Sequence, residues 1–130
     1  MSVVLGYDGK SHTEKALRYA IKHALAYGEP LYVVSSVAVT RDSVDRESEI
    51  QNVKGYVEAA RQMAEDAGAD AKSLLEAGHP ADVILAAARR VGADTIIVGR
   101  LDKTALDRVM IGSVSEKVVR GAHCTVIVVQ

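Results

Sequence analysis

Short apolar runs rich in valine and isoleucine alternate along this chain with longer segments whose apolar residues recur every three or four positions. The short runs predict buried β-strands, and the periodic segments predict amphipathic helices. The predicted strands cover residues 2–6, 30–36, 71–76, 95–98 and 125–129. The four segments between them predict helices, so the pattern is β-α-β-α-β-α-β-α-β.

The helix boundaries are predicted from capping residues and glycines. Two Ser-x-x-Glu capping boxes, at 11–14 and 113–116, predict the starts of the first and last helices. The second helix is expected to begin near Asp45, and Pro80 marks the first turn of the third. Glycines end all four helices. The apolar faces of the first two are predicted to comprise Ala16, Leu17, Ala20, Ile21, Ala24 and Leu25, then Ile50, Val53, Val57, Ala60, Ala64 and Ala67.

Regular alternation of strands and helices indicates a parallel sheet with helices on both faces and right-handed crossovers. Lys72 and Glu76 favour an edge position for the third strand, because a central parallel strand is apolar on both faces. Ligands of such sheets lie beyond the carboxyl ends of the strands, where the strand order reverses. If the first strand neighbours the fourth, Tyr7, Asp8 and Gly99 flank that crevice.

The segment 99–116 predicts an anion site. A glycine ends an apolar strand, a charged loop follows, and a second glycine leads into a helix. Free backbone N–H groups and the positive end of the helix dipole then point in the same direction. The first turn, Tyr-Asp-Gly-Lys-Ser at 7–11, is similar to phosphate-binding loops but lacks the G-x-x-x-x-G-K-[ST] spacing of a P-loop, which excludes that motif.

Composition limits the number of domains, the molecules that this protein could bind and its location in the cell. The 130 residues favour a single domain, 1–130, and a net charge of −1 argues against nucleic acid or anionic membranes as partners. One cysteine, Cys124, excludes an internal disulfide and a cysteine-based metal site. The four histidines show no metal-ligand spacing with acidic residues. With no basic leader and no apolar run of membrane-spanning length, we expect a cytoplasmic protein.

Four motifs taken together resemble the universal stress protein family over essentially the whole chain. They are VVLGYDG at 3–9, GHPA at 78–81, GADTIIVG at 92–99 and GSVS at 112–115, followed by a valine-rich terminal strand. The resemblance implies a three-layer α/β/α fold with a five-stranded parallel sheet in the order 3-2-1-4-5. This is the adenine-nucleotide alpha-hydrolase-like, Rossmann-like arrangement.

The resemblance also implies an adenine-nucleotide site. Base and ribose are expected near Gly6, Tyr7 and Asp8, with Ser36 or Val37 lining the adenine pocket. The phosphates of ATP, with Mg²⁺, are expected at Gly99, Arg100, Gly112, Ser113 and Val114.

The chain departs from the family's nucleotide motif at one position, where Asp102 replaces the middle glycine. A carboxylate about 4 Å from a phosphate oxygen repels it by roughly 4 kcal/mol at an effective dielectric of about 20. Arg100, Lys103 or Arg108, or a bridging Mg²⁺, would neutralise that charge. Two interpretations stay open: an adenine-nucleotide site, or a nucleotide-free interaction module of the same family. An ATP-dependent enzyme is the third, and hydrolysis would be slow because no general base is evident.

Several of these residues also have a purely structural interpretation. Asp8 precedes a glycine and is typical of a turn or cap before the first helix. Ser113 is typical of a helix cap, and Arg100 of a solvated loop. The terminal strand Thr125–Val129 has neither proline nor charge, and the family order makes it a sheet edge. We therefore expect it to pair with the same strand of a second copy in a homodimer, or to be covered by the C-terminus.

Overall fold

The computed structural model of the chain describes residues 1–39, 43–100 and 112–130. Within these residues, strands and helices alternate as the hydrophobic pattern predicts. The elements are β1 (Val3–Gly6), α1 (Ser11–Tyr27), β2 (Leu31–Val37), α2 (Ser43–Asp66), β3 (Ala71–Ala77), α3 (Pro80–Val91), β4 (Thr95–Gly99), α4 (Ser113–Gly121) and β5 (Thr125–Val129). Asp102, Lys103 and Arg108 lie outside the described residues.

The five strands form one parallel sheet in the order β3-β2-β1-β4-β5. Val3 of β1 is in register with Leu31 of β2 on one side and with Thr95 of β4 on the other. After β1, the chain adds β2 and β3 on one side of β1, and then returns to add β4 and β5 on the other side. The predicted order, the neighbouring positions of β1 and β4, and the edge position of β3 are all confirmed.

Two apolar layers hold the helices against the sheet. One layer packs α1 and α2 on one face, around Leu5, Leu17 and Val57. The other packs α3 and α4 on the opposite face, around Val4, Ile84 and Val118. The predicted faces of α1 and α2 are buried except at Ile50, which is half-buried, and at Leu25 and Ala67, which are exposed. Ala67 lies one residue beyond the end of α2.

Both predicted capping boxes are wrong. Helix α4 starts one residue earlier than a Ser113 cap requires, because the Glu116 N–H donates its helical hydrogen bond to the Gly112 carbonyl (2.9 Å). Gly112 is thus the N-cap, and the Glu116 side chain pairs with Arg120 instead (2.8 Å). Likewise the residue before α1 is Lys10, and Ser11 already lies within the first turn. The start of α3 at Pro80 is confirmed, with the His79 Nδ1 accepting from the Ala81 N–H (3.3 Å).

A close backbone contact joins the end of β4 to the start of α1. A Cβ on Gly99 would lie 2.7 Å from the His12 carbonyl oxygen and 3.3 Å from the Thr13 Cα. Because both contacts are with main-chain atoms, no flexible side chain could move aside to make room for the Cβ. Only glycine therefore lets α1 begin directly above this strand end.

We expect Gly99→Ala to lower the free energy of unfolding by about 2 kcal/mol, because backbone must shift to relieve the overlap. Gly55→Ala is the matched control, since nothing lies within 4 Å of a Cβ added to Gly55 in α2. That change should stabilise the protein by about 0.5–1 kcal/mol through helix propensity. Urea unfolding curves measure both, and equal effects of the two substitutions would contradict the proposed contact.

Candidate functional site

A crevice opens at the carboxyl ends of β1 and β4, where the order of the strands reverses. It has about 560 Å³ of space, including its open mouth, and its walls come from β1, β2, β4 and from α1, α2, α3 and α4. Its floor is apolar because Val34, Ile84 and Val98 meet there. Gly6 permits this packing, since a Cβ at that position would lie 2.5 Å from the Ile84 Cδ1.

Six of the ten predicted site residues line this crevice. They come from four separated stretches of sequence and are Gly6, Tyr7, Asp8, Ser36, Gly99 and Val114. The structure therefore brings together the strand ends that the sequence predicts to meet. Their contact with a nucleotide stays a prediction.

The other four predicted residues lie beside the crevice. Val37 is buried, 6% exposed, and its carbonyl accepts from the Gly78 N–H (2.9 Å). Arg100 continues the strand pairing, donating its N–H to the Val129 carbonyl (2.9 Å), and its guanidinium contacts Gln130 (3.3 Å). Gly112 and Ser113 precede Val114 at the start of α4, where Ser113 is exposed.

Asp8 organises the turn between β1 and α1. Its Oδ1 accepts from the Lys10 N–H (2.9 Å) and from the Thr13 hydroxyl (2.8 Å). Its Oδ2 lies 3.2 Å from the His12 Nε2. The predicted turn role of Asp8 is therefore confirmed, whereas the N-cap of α1 is Lys10 and has no side-chain cap bond. Since each carboxylate oxygen has two lone pairs, Oδ2 retains an acceptor position for a hydroxyl group in the crevice.

Two tyrosines form an aromatic wall of the crevice. The rings of Tyr7 and Tyr56 meet edge to face, with centroids 5.9 Å apart. The Tyr7 carbonyl accepts from the Ser35 hydroxyl (2.5 Å), which fixes the end of β1 against β2. Gly9 has a positive φ of 77° and lies under the Tyr56 ring, where a Cβ would come within 2.7 Å of that ring. Aromatic faces of this kind stack well on flat heterocycles.

Burial raises the pKa of both phenols. For Tyr7 the pKa rises first through desolvation and then through the negative charges of Glu14 and Asp8. For Tyr56 desolvation again leads, followed by Asp8, Glu49 and Tyr7, and a hydrogen bond with Ser35 lowers the pKa in part. Both hydroxyls are therefore neutral hydrogen-bonding groups at physiological pH.

The start of α4 faces the end of β4. The Ser115 hydroxyl, which is buried, donates to the Gly99 carbonyl (3.0 Å) and ties the first turn of α4 to the strand. Gly112, with φ of 93°, carries the chain into the helix. No side-chain cap bond forms at this N-cap among the described residues. The first N–H groups of α4 and the positive end of its dipole thus favour an anion beside the crevice.

Several lining residues were missed by the sequence analysis, including His12, Thr13, Ser35 and Tyr56. A signal for Tyr56 existed, because it lies three residues after Val53 and next to Val57 on the predicted inner face of α2. The others depend on how α1 and β2 end against β1, which local patterns do not encode. Among the described residues, no group of three or more acidic, cysteine or histidine side chains is arranged to hold a metal ion. None of the described helices is long and apolar enough to cross a bilayer.

Fold and crevice together define a doubly wound α/β protein whose crevice lies at the reversal of strand order, the position where ligands of such sheets bind. A sequence profile described as "Universal stress protein family" matches residues 1–130. The chain belongs to the universal stress protein family. This confirms the resemblance drawn from the four sequence motifs and the fold class that it implies.

Curated relatives cover nearly the whole chain. Universal stress protein MJ0531 of Methanocaldococcus jannaschii is 31% identical, with 98% of this chain and 81% of that protein aligned. A universal stress protein of Thermus aquaticus, from the QAH/OAS sulfhydrylase 3′ region, is 32% identical over 99% of this chain and 98% of its own.

Solved structures of universal stress proteins also match the whole chain. A universal stress protein from Archaeoglobus fulgidus matches with a TM-score of 0.86 at 27% identity, covering 100% of this chain and 98% of that one. A universal stress protein in complex with cAMP matches with a TM-score of 0.80 at 26% identity, covering 100% and 96%. A universal stress protein of Archaeoglobus fulgidus in complex with dAMP matches with a TM-score of 0.78 at 27% identity, covering 100% and 98%.

The raised phenol pKa values predict a pH dependence. A phenol whose pKa is higher in the folded chain stabilises the fold fully below its unfolded pKa, about 10, and this contribution is lost as the pH rises through the folded value. In a pH titration followed by phenolate absorbance, some tyrosines should ionise above the usual pKa of about 10; these are the late ionisations. Tyr7→Phe and Tyr56→Phe should each reduce the absorbance change that they cause. Tyr27→Phe, at a 69% exposed position, should leave them unchanged. Late ionisations that survive both crevice substitutions would contradict the assignment.

Proposed function

We propose that this protein binds an adenine nucleotide, as a single domain, in the crevice between β1 and β4. The observation that supports this most is the joining of three complementary surfaces in one crevice. They are an apolar floor, the Tyr7–Tyr56 wall and the start of α4. The apolar floor and the aromatic wall match a flat heterocycle, and the start of α4 matches a phosphate.

The base would lie against the ends of β1 and β2, near Tyr7 and Ser36, with the ribose within reach of Asp8. The phosphates would extend over Gly99 toward the first turn of α4. The structures in complex with cAMP and dAMP support the proposal, because both are similar to this chain over its whole length. More specifically, we propose that the nucleotide is ATP, with Mg²⁺ bridging its phosphates and Asp102.

Cys124 is the only cysteine in the sequence, which fits the predicted cytoplasmic location.

A carboxylate introduced at the start of α4 tests the phosphate position. We expect wild-type protein to bind AMP and ATP in isothermal titration, and Val114→Asp to weaken ATP binding at least tenfold, because like charges at about 4 Å repel by roughly 4 kcal/mol at a dielectric of about 20. Val119→Asp is the matched control on the same helix, where Val119 is 46% exposed and does not line the crevice. Equal affinity of all three proteins would contradict this phosphate position.

Asp102→Gly separates nucleotide binding from the alternative, a nucleotide-free interaction module. If the wild type binds ATP only with Mg²⁺ and the glycine variant binds without it, Asp102 acts through a bridging cation. If neither protein binds any adenine nucleotide, the interaction module is the correct interpretation.

We also propose a homodimer formed along the open edge of β5. The Val129 carbonyl accepts from the Arg100 N–H, so alternation along the strand directs the backbone groups of Val126 and Val128 away from β4. These outward groups form an uncharged, proline-free edge that a second β5 strand would satisfy.

A proline on that edge tests the dimer. Val128→Pro removes an outward N–H, and we expect it to give a monomer in size-exclusion chromatography with light scattering. Val128→Ala loses the valine side chain but keeps the N–H, and it should remain dimeric. A wild-type chain that is monomeric at micromolar concentration would contradict the proposal.

A further inference from the structure

Among the described residues that line the crevice, His12 alone has a side chain that can carry a positive charge. It lies in the first turn of α1, and its side chain is 20% exposed. The other ionisable side chains of the crevice wall are Asp8, Tyr7 and Tyr56, and all three are acids. Because both phenols stay protonated at physiological pH, the wall carries a net charge of −1 when His12 is neutral and no net charge when it is protonated.

His12 lies at the strand end over which the phosphates are proposed to extend. A Cβ on Gly99 would be 2.7 Å from the His12 carbonyl oxygen, so the first turn of α1 lies directly against the end of β4. The start of α4 is held at the same place, since the Ser115 hydroxyl donates to the Gly99 carbonyl (3.0 Å). A phosphate that crosses Gly99 toward α4 therefore passes the first turn of α1, within range of a charge on His12.

The imidazole of His12 faces a carboxylate. Its Nε2 is 3.2 Å from the Asp8 Oδ2, whereas the Asp8 Oδ1 accepts from Lys10 and Thr13. With a neutral imidazole, the carboxylate repels an anion in the crevice. With an imidazolium, the carboxylate is compensated and the ring attracts the anion. A proton on His12 and a phosphate in the crevice therefore strengthen each other's binding, because coupling between two sites is reciprocal.

The elements that pack around His12 contribute few other charges. The turn after β1 contributes Asp8 and Tyr7, and α2 contributes Tyr56, whereas every described crevice-lining residue of β2, β4, α3 and α4 is uncharged. Carboxylates, ammonium groups and guanidinium groups ordinarily keep their charge between about pH 8 and pH 5.5, so they supply a constant background. Those that adjoin these elements in sequence are Lys10, Glu14, Lys15, Arg100 and Glu116.

A second histidine lies near the crevice, but its protonation would have the opposite effect. The His79 Nδ1 accepts from the Ala81 N–H (3.3 Å) and so caps α3, the helix that brings Pro80 and Ile84 to the crevice. A proton on this nitrogen removes the acceptor and loosens that wall. Acidification acting through His79 would therefore weaken binding, whereas acidification acting through His12 strengthens it.

We propose that protonated His12 contacts the phosphate and links nucleotide binding to the uptake of a proton. This inference rests on the proposed nucleotide site. Histidine side chains gain their charge between about pH 8 and pH 5, so affinity for a nucleotide rises as the pH falls through this range. A nucleoside without a phosphate does not gain from the charge.

The methyl ester of AMP is the probe, because its phosphodiester keeps one negative charge in this pH range and does not titrate. In isothermal titration of the full chain, the ester should bind about tenfold more tightly at about pH 5.5 than at about pH 8, a factor typical of coupled sites. Adenosine should bind equally well at both. Near neutral pH, the heat of ester binding should vary with the ionisation enthalpy of the buffer, in the direction of proton uptake.

His12→Gln replaces the imidazole with a neutral side chain, and it should abolish both the pH dependence and the proton uptake. His123→Gln, at an exposed position outside the crevice wall, is the matched control and should leave both unchanged.

Four results would overturn the inference. They are ester binding that does not tighten at low pH, an equal pH dependence for adenosine, proton uptake that persists in His12→Gln, and no binding of the ester. The proposed nucleotide site stands in each case if AMP still binds, and it fails only if AMP does not bind either.

Discussion

The contact between the start of α1 and the end of β4 is the constraint on which the crevice depends. It is a contact of backbone with backbone, because a Cβ on Gly99 would meet the His12 carbonyl at 2.7 Å. With α1 held there, Asp8 contacts Lys10, Thr13 and His12, and these contacts hold the turn after β1 against the start of α1. Ser115 then fixes the first turn of α4 to the carbonyl of the same glycine. One residue without a side chain thus brings two helix starts to a single strand end.

The two ends of the sheet present different groups. At the carboxyl ends, the starts of α1 and α4 place N–H groups and positive dipole ends beside the crevice. At the amino ends, Glu29 and Asp94 lie beside exposed aromatic rings. Parallel strands joined by helices produce this polarity, because every helix begins at the carboxyl end of one strand and ends near the amino end of the next. The carboxyl ends of the strands are therefore the end of the sheet that favours anions.

Most of the architecture was predictable from the sequence, since valine- and isoleucine-rich runs and helical periodicity are local signals. The edge position of β3 followed from Lys72 and Glu76, and the crevice position followed from strand order. The N-caps of α1 and α4 were not predictable, because Ser11 and Ser113 satisfy the local capping pattern while the observed caps are Lys10 and Gly112. For α4, the hydrogen bond from Ser115 to the Gly99 carbonyl holds the first turn against β4. The sequence placed Tyr56 on the inner face of α2, but its position over Gly9 depends on how α2 packs against the sheet.

The most direct test of the central claim is an amide NMR titration with AMP, read at the glycines. Gly6 and Gly99 end the neighbouring strands β1 and β4, and Gly112 directly precedes α4, whereas Gly28 and Gly92 follow the ends of α1 and α3. Nucleotide in the crevice should shift the first three amides together and leave the other two unchanged. Saturable shifts confined to Gly28 and Gly92, or no shift of Gly6 and Gly99 at saturating AMP, would contradict the account.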